Sequence, residues 1–317
     1  MYSNCKLYKL NSKKYLTYLL QIDDNNFFEQ RYVSLLITPI IQTEPKERLI
    51  EYCNFELKMI QKKIKNYLSD INFEDYIFSG VKGKSYVDNA NAHTGVKYLY
   101  KTDISGFFPS ISRNHVYNFF RNELKTAPDI AEILTNLTTI NIDFANQENI
   151  EEVNIFLQKK HINCRNHLIT GAPTSVLLSY LSNIGMFDKI KKIADKKGVK
   201  FTLYVDDLFF SSDKPLGRKF QEDVKKIITE YNYQISEQKC KFHMSRYPKR
   251  ITGVIINKNG DLVIPNNLRL KIKMTLINLK KDPEDYKLKR RLEGLVYAAR
   301  QIEPDAYPSI LQLIKDQ

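Results

Sequence analysis

Between residues 54 and 68 the chain reads NFELKMIQKKIKNYL, with Leu57, Ile60, Ile64 and Leu68 recurring at three- and four-residue intervals. That spacing gathers them on one face and predicts an amphipathic helix. YLYKTDI (98–104) is a short, mostly apolar run that predicts a strand. FFPS breaks it, and Ser112 is placed to cap a helix carrying Val116, Phe119 and Phe120. FTLYVDDLFFSS (201–212) is two apolar runs around an Asp-Asp turn, a hairpin signal. Residues 174–193 read as one long helix entered through Gly171-Ala172-Pro173, and 218–231 as another. RITGVIIN (250–257) and DLVI (261–264) predict a second hairpin, across Asn259-Gly260. Residues 1–45 read as short helices and loops, with the apolar run 33–41 broken by Pro39. The polar, acidic stretch 140–160 predicts a peripheral hairpin or insertion, spanning about 139–167 in all. The tail, 266–317, reads as three basic helices separated near Asp282-Pro283 and Glu303-Pro304.

Composition changes the picture little. At 317 residues the chain is long enough for two or three packed subdomains. With 43% hydrophobic and 27% charged residues it is not intrinsically disordered. No apolar run approaches the roughly 18 residues needed to span a bilayer. Lysines scattered through the first residues, with no small-residue cleavage site, argue against a signal peptide. Cys5, Cys53, Cys164 and Cys240 form no CxxC pair and predict reduced thiols in a cytosol. Charge adds more. The formal net charge is +13, and residues 213–317 carry 22 Lys+Arg against 13 Asp+Glu, a net +9. A polyanion partner for the C-terminal third and a solvated lysine-rich surface both fit that asymmetry.

Candidate chemistry centres on carboxylates. Adjacent aspartates in a turn are common on their own, because aspartate caps turns. Asp206 and Asp207, however, are flanked by Leu203, Tyr204, Val205, Leu208, Phe209 and Phe210. Two carboxylates at the lip of so apolar a hairpin repel unless a cation lies between them. Asp103 ends the other apolar strand, where it could cap a turn or serve as a ligand. Asp103 with Asp206 could hold two Mg²⁺ ions, about 3.5–4 Å apart in two-metal sites. Magnesium takes oxygen ligands and leaves positions for water or phosphate.

These residues resemble the reverse transcriptases, and the retron type most closely. KTDISGFFPSI (101–111) resembles the family's motif A. GAPTS with LSN (171–175, 181–183) resembles motif B, YVDD (204–207) motif C, and Lys239 the motif D lysine. NANAH (89–93) matches the retron NAxxH element, and ITG (251–253) resembles the VTG element. RLIEYCNFELKMIQ (48–61) resembles the segment that joins a nucleotide-binding arginine to a helix. The likeness covers about 45–300, with its elements in the family's order. Departures are Val205 where the retron type has Ala, Thr170 where motif B has Gln, and Val176 where it has Pro.

The resemblance implies an α+β right-hand polymerase. Its fingers and palm, an antiparallel sheet with packed helices, would span 1–265, and a basic helical thumb 266–317. It implies Asp103, Asp206, Asp207 and the Ile104 carbonyl as metal site, with two Mg²⁺. Asp207 would support the metal site or the primer end. Arg48, Phe108, Gly171, Ala172, Pro173 and Lys239 would bind the dNTP, Phe108 as the steric gate against ribose, unless Phe107 and Phe108 are plain core. Asn89, His93, Thr252, Gly253, Lys249, Arg250, Arg269 and Lys273 would contact RNA. A lone histidine is more often a packing residue, and each lysine also reads as solvated surface. The implied activity is RNA-directed DNA synthesis on a structured noncoding RNA that serves as primer and template. Priming would start from an internal guanosine 2′-OH, in a bacterial cytoplasm, serving antiphage defence with a separate effector protein and no membrane. Two other readings stay open: a non-retron defence reverse transcriptase, abortive-infection or template-independent, and a catalytically idle RNA-binding scaffold.

Overall fold

The structure, a computed structural model, describes residues 1–244 and 247–315. Its centre is a four-stranded antiparallel sheet of β3 (Tyr98–Asp103), β6 (Lys200–Tyr204), β7 (Asp207–Ser212) and β8 (Lys241–His243), in the order β6-β7-β3-β8. Three smaller sheets accompany it. β1 (Ile37–Gln42) pairs with β2 (Arg48–Cys53), and β4 (Thr139–Asn141) with β5 (Asn166–Leu168). β9 (Lys249–Ile251), β10 (Val254–Ile256) and β11 (Leu262–Val263) form the last.

Side chains alternate across a strand, so the central sheet has two distinct faces. Tyr100, Phe201, Leu203, Leu208 and Phe210 point into the main core. Phe210 stacks on Phe201 and Tyr100, with ring centroids 5.0 and 5.8 Å apart. The other face carries Leu99, Lys101, Asp103, Thr202, Asp207, Phe209 and Ser211. Half of it is roofed by a second core that joins Ala90, Leu99 and Phe209 to β9–β11 and the C-terminal helices. The other half stays open.

Several predicted elements form as the patterning requires. The helix Phe55–Leu68 is capped by Asn54 and buries Leu57, Ile60, Ile64 and Leu68. Ser112 caps Arg113–Asn118. The tail forms helices Asn266–Lys281, Tyr286–Arg300 and Pro308–Lys315.

Others are corrected. Pro39 does not break its segment; β1 runs through it opposite Glu51. Glu51 sends its N–H to the Thr170 carbonyl instead, so the proline costs the ladder no bond. The long helix 174–193 is two helices, Ser175–Leu181 and Ile184–Lys196. Asn183 divides them, its amide donating to the Ser179 carbonyl while its Oδ1 accepts from the Tyr233 hydroxyl. The segment about 139–167 is closed by the antiparallel β4–β5 pair as a hairpin would be, but it is packed and not peripheral, since Ile140, Ile142, Val153, Phe156 and Leu157 all join the main core. Thr252 and Gly253 form the turn between β9 and β10, which makes ITG a hairpin tip of its own. Among the described residues no helix is long and apolar enough to cross a membrane.

Candidate active site

The open half of the sheet face ends in carboxylates. In the antiparallel register Asp103 on β3 stands directly opposite Asp207 on β7. Like charges in that position repel. Asp206 occupies the β6–β7 turn, and its carbonyl accepts the Ile104 N–H at 3.1 Å. Three aspartates therefore occupy adjoining backbone positions where β3 ends and β7 begins. Asp103 is buried, 3% exposed, while Asp206 and Asp207 are half-buried.

The turn itself is under strain. Val205 sits at φ +59, in the left-handed region that a β-branched residue rarely enters. Its N–H donates to Ser79 Oγ at 2.9 Å, a tie that holds the conformation.

Lys101 offsets part of the crowding. Lys101 Nζ lies 2.8 Å from Asp207 Oδ1 and 5.0 Å from the centroid of the Phe209 ring. Asp207, expected as a metal ligand, thus has one oxygen committed to an ion pair. Among the described residues no three His, Cys, Asp or Glu side chains gather as a closed metal-holding group. Asp103 and Asp206 present only oxygen donors. That donor set suits a hard divalent cation that keeps waters or substrate phosphates in its other positions.

Beside Asp207 opens a cavity of about 590 Å³. Its wall includes Lys101, Lys241, His243, Arg250 and the Thr252-Gly253 turn. Burial, with Lys241, Lys249 and Lys101 nearby, pushes the His243 imidazole below its usual range. Lys101, Lys241 and Arg250 make the wall positive beside Asp207, which lines the same cavity.

Nucleotide-side candidates lie apart from this wall. Phe107 is buried and Phe108 half-buried, as two adjacent rings of a short helix entered at Gly106. Gly106 has φ +53, a left-handed backbone conformation that favours glycine. Gly171, at φ +94, leads through Ala172 and Pro173 into the helix Ser175–Leu181. Arg48 is exposed at the start of β2. The Lys239 side chain and Arg246 lie outside the described residues.

Three expected RNA contacts, His93, Asn89 and Lys249, are corrected by their burial. His93 is fully buried and bridges Ser211 Oγ and Thr202 Oγ1, each at 2.7 Å. Burial, with Lys200 nearby, pushes its imidazole down to about 3, so the ring is neutral. Asn89 is equally buried. Neither side chain reaches a surface where RNA could touch it. Lys249 is only 4% exposed, and burial lowers its ammonium below the ordinary lysine value. Thr252 donates its hydroxyl to the Tyr86 carbonyl at 2.7 Å, holding the β9–β10 turn against the helix that carries Asn89. Arg250 lines the cavity, Lys273 is exposed, and Arg269 pairs with Glu303 at 2.8 Å.

The sequence reading missed Lys101. Its signal was present: a residue two positions before Asp103 on a strand must share that aspartate's face.

Residues 41–256 match the family model described as "Reverse transcriptase (RNA-dependent DNA polymerase)". The chain belongs to the reverse transcriptase family. It is similar to retron reverse transcriptases. The chain is 28% identical over 206 residues to the Retron Se72 reverse transcriptase of Salmonella heidelberg (strain 579083-10), covering 63% of this chain and 48% of that one. It is 24% identical over 257 residues to the Retron Ec48 reverse transcriptase of Escherichia coli, covering 76% and 57%. It is 24% identical over 262 residues to the Retron Ec83 reverse transcriptase of Escherichia coli, covering 81% and 79%. The chain thus spans about half the length of the first two relatives. Membership gives the polymerase fold, and the chain builds it from mixed helices and antiparallel sheets.

Proposed function

We propose that this chain is an RNA-directed DNA polymerase of the retron type, copying a structured noncoding RNA into single-stranded DNA. The observation that carries the reading is the strand register that sets Asp103 opposite Asp207, with Asp206 in the adjoining turn. In this reading the four-stranded sheet is the palm, residues 1–265 hold fingers and palm, and 266–317 are the thumb.

Asp103 and Asp206, with the Ile104 carbonyl, would hold two Mg²⁺ ions. When bound, such ions lower the pKa of the attacking hydroxyl and neutralise the pyrophosphate leaving group. Asp207, fixed by Lys101, supports the carboxylate end from the second turn position. Arg48, Phe108 and the Gly171–Pro173 loop bind the dNTP, where an aromatic ring beneath the sugar disfavours a ribose 2′-OH. Lys239 would meet the pyrophosphate. The positive cavity wall takes the phosphates of the primer strand, a grip that supplies affinity without sequence information. Thr252, Gly253 and Arg250 recognise the priming RNA there, and Arg269 and Lys273 extend the grip along the thumb. The RNA would prime from an internal guanosine 2′-OH, in a bacterial cytoplasm, for antiphage defence with a separate effector protein.

The deciding experiment is Mg²⁺-dependent dNTP incorporation on nucleic acid that copurifies with the protein. Asp206→Asn is expected to abolish incorporation and keep RNA binding. Equal incorporation by variant and wild type overturns the proposal.

A further inference from the structure

The loop before the helix Ser175–Leu181 is held by a carboxylate that the polymerase reading leaves unused. Glu51 on β2 is 1% exposed, and its side chain and that of His167 are wholly buried. Glu51 grips Thr170 at both backbone polar groups. Its N–H donates to the Thr170 carbonyl at 2.9 Å, and its Oε2 accepts the Thr170 N–H at 2.5 Å. The Thr170 hydroxyl is buried without a hydrogen-bond partner, so the backbone is what is gripped.

The second carboxylate oxygen faces His167, with Oε1 and Nε2 2.9 Å apart. His167 Nδ1 lies 3.0 Å from the Cys164 carbonyl oxygen, which can only accept. Nδ1 therefore carries a proton. One further proton must lie between Oε1 and Nε2, since two bare acceptors would repel. The pair is neutral in sum whichever atom holds that proton. This is how a carboxyl can stay sealed in the core without an isolated charge.

We propose that Glu51 is a positioning residue. With His167 it clamps the Thr170–Pro173 loop to β2, and so fixes that loop relative to Arg48 three residues upstream. The packing agrees: a Cβ at Gly171 would lie 3.6 Å from Ile50 Cγ2, the residue between Leu49 and Glu51. The inference rests on the reading of Arg48 and the loop as two contacts to one incoming nucleotide. Misplacing one contact then weakens nucleotide binding and leaves the carboxylates untouched.

Two variants test it. Gln at position 51 can accept from Thr170 and donate to a neutral His167, so E51Q keeps both contacts. E51D is one methylene shorter and cannot reach both. We expect E51D to raise KM for dNTP about tenfold, with kcat within about threefold of wild type. E51Q is expected within about twofold on both. The E51D effect should shrink in an R48A background, because the clamp acts through that arginine's placement. If E51D fails to fold, H167N, whose shorter side chain withdraws the donor from Oε1, carries the same test with the same KM signature. An active wild type whose KM is unmoved in the folded variant, or a fully additive R48A/E51D pair, overturns this inference alone. A wild-type chain without dNTP incorporation overturns the polymerase reading and this inference with it.

Discussion

One face of the central sheet treats polar groups in opposite ways at its two ends. At the roofed end Thr202 and Ser211 are bridged by His93 into a closed, neutral network. Every polar atom of that trio has a partner, and burial keeps the imidazole uncharged. At the open end Asp103 faces Asp207, Asp206 adjoins them, and a left-handed valine holds the turn. Buried polar groups that satisfy one another specify and stabilise a structure. Like charges crowded at a lip are a cost the fold retains for another purpose. The difference teaches that stability and function are separated by only a few residues along the same strands.

The strongest way to break this comparison is at Asp103. Asp103→Asn removes one of two facing charges. Incorporation is expected to fall on the order of 10³-fold, since a divalent ion's ligand set supplies several kcal/mol of transition-state stabilisation. Thermal stability should hold or rise, because the like-charge repulsion between facing residues, about 0.5–1 kcal/mol, is relieved. Measured together, a dead and more stable variant supports the division. A dead and unfolded one breaks it.

His93→Ala should do the reverse. It leaves two buried hydroxyls without partners and opens a cavity, costing about 2–4 kcal/mol in chemical denaturation. The kcat of the folded fraction should be unchanged. A pH dependence accompanies it. The folded imidazole sits at about 3 and the unfolded one near 6.5. Below 6.5 the unfolded chain takes up a proton that the folded chain refuses, so stability falls as pH drops toward 3, by about 1.4 kcal/mol per unit. The alanine variant should lose that slope between pH 4 and 6.5.

Much of this was legible in the sequence, for identifiable reasons. The helix Phe55–Leu68 and the β6–β7 hairpin are set by local periodicity, and the facing aspartates follow once β3 pairs with β7. His93, given an RNA contact by the resemblance, is instead the packing residue that a lone histidine more often is, because the second core closes over its segment. The split at Asn183 depends on Tyr233, fifty residues away. Glu51 and His167 lie far apart in sequence, and neither carries a local signal. Contacts between residues far apart in the chain are what a single sequence withholds.

A gentler probe is Lys101→Gln. It removes the cation beside Asp207 while preserving a hydrogen-bonding side chain. The pair is partly exposed, 21% at each side chain, so its own strength is modest, about 1 kcal/mol or less. The sign is the informative part. A more negative carboxylate end should bind a divalent cation more tightly, so the half-saturating Mg²⁺ concentration should fall by about two- to fivefold. A rise instead means that Lys101 orders Asp207 more than it opposes the cation.

The smallest expected effect lies in the turn. Val205 pays for its left-handed backbone with strain of roughly 1–3 kcal/mol, which the Ser79 hydrogen bond helps to hold in place. Glycine enters that region freely but loses more entropy on folding, by about 0.5–1 kcal/mol. Val205→Gly should therefore stabilise the chain by about 1 kcal/mol or less, a rise of a few degrees at most in Tm. The gain should come with a looser Asp206, read as a higher Mg²⁺ requirement at an unchanged maximal rate. A destabilised V205G would mean that the valine's packing outweighs its strain, and the open end would then be held as firmly as the roofed one.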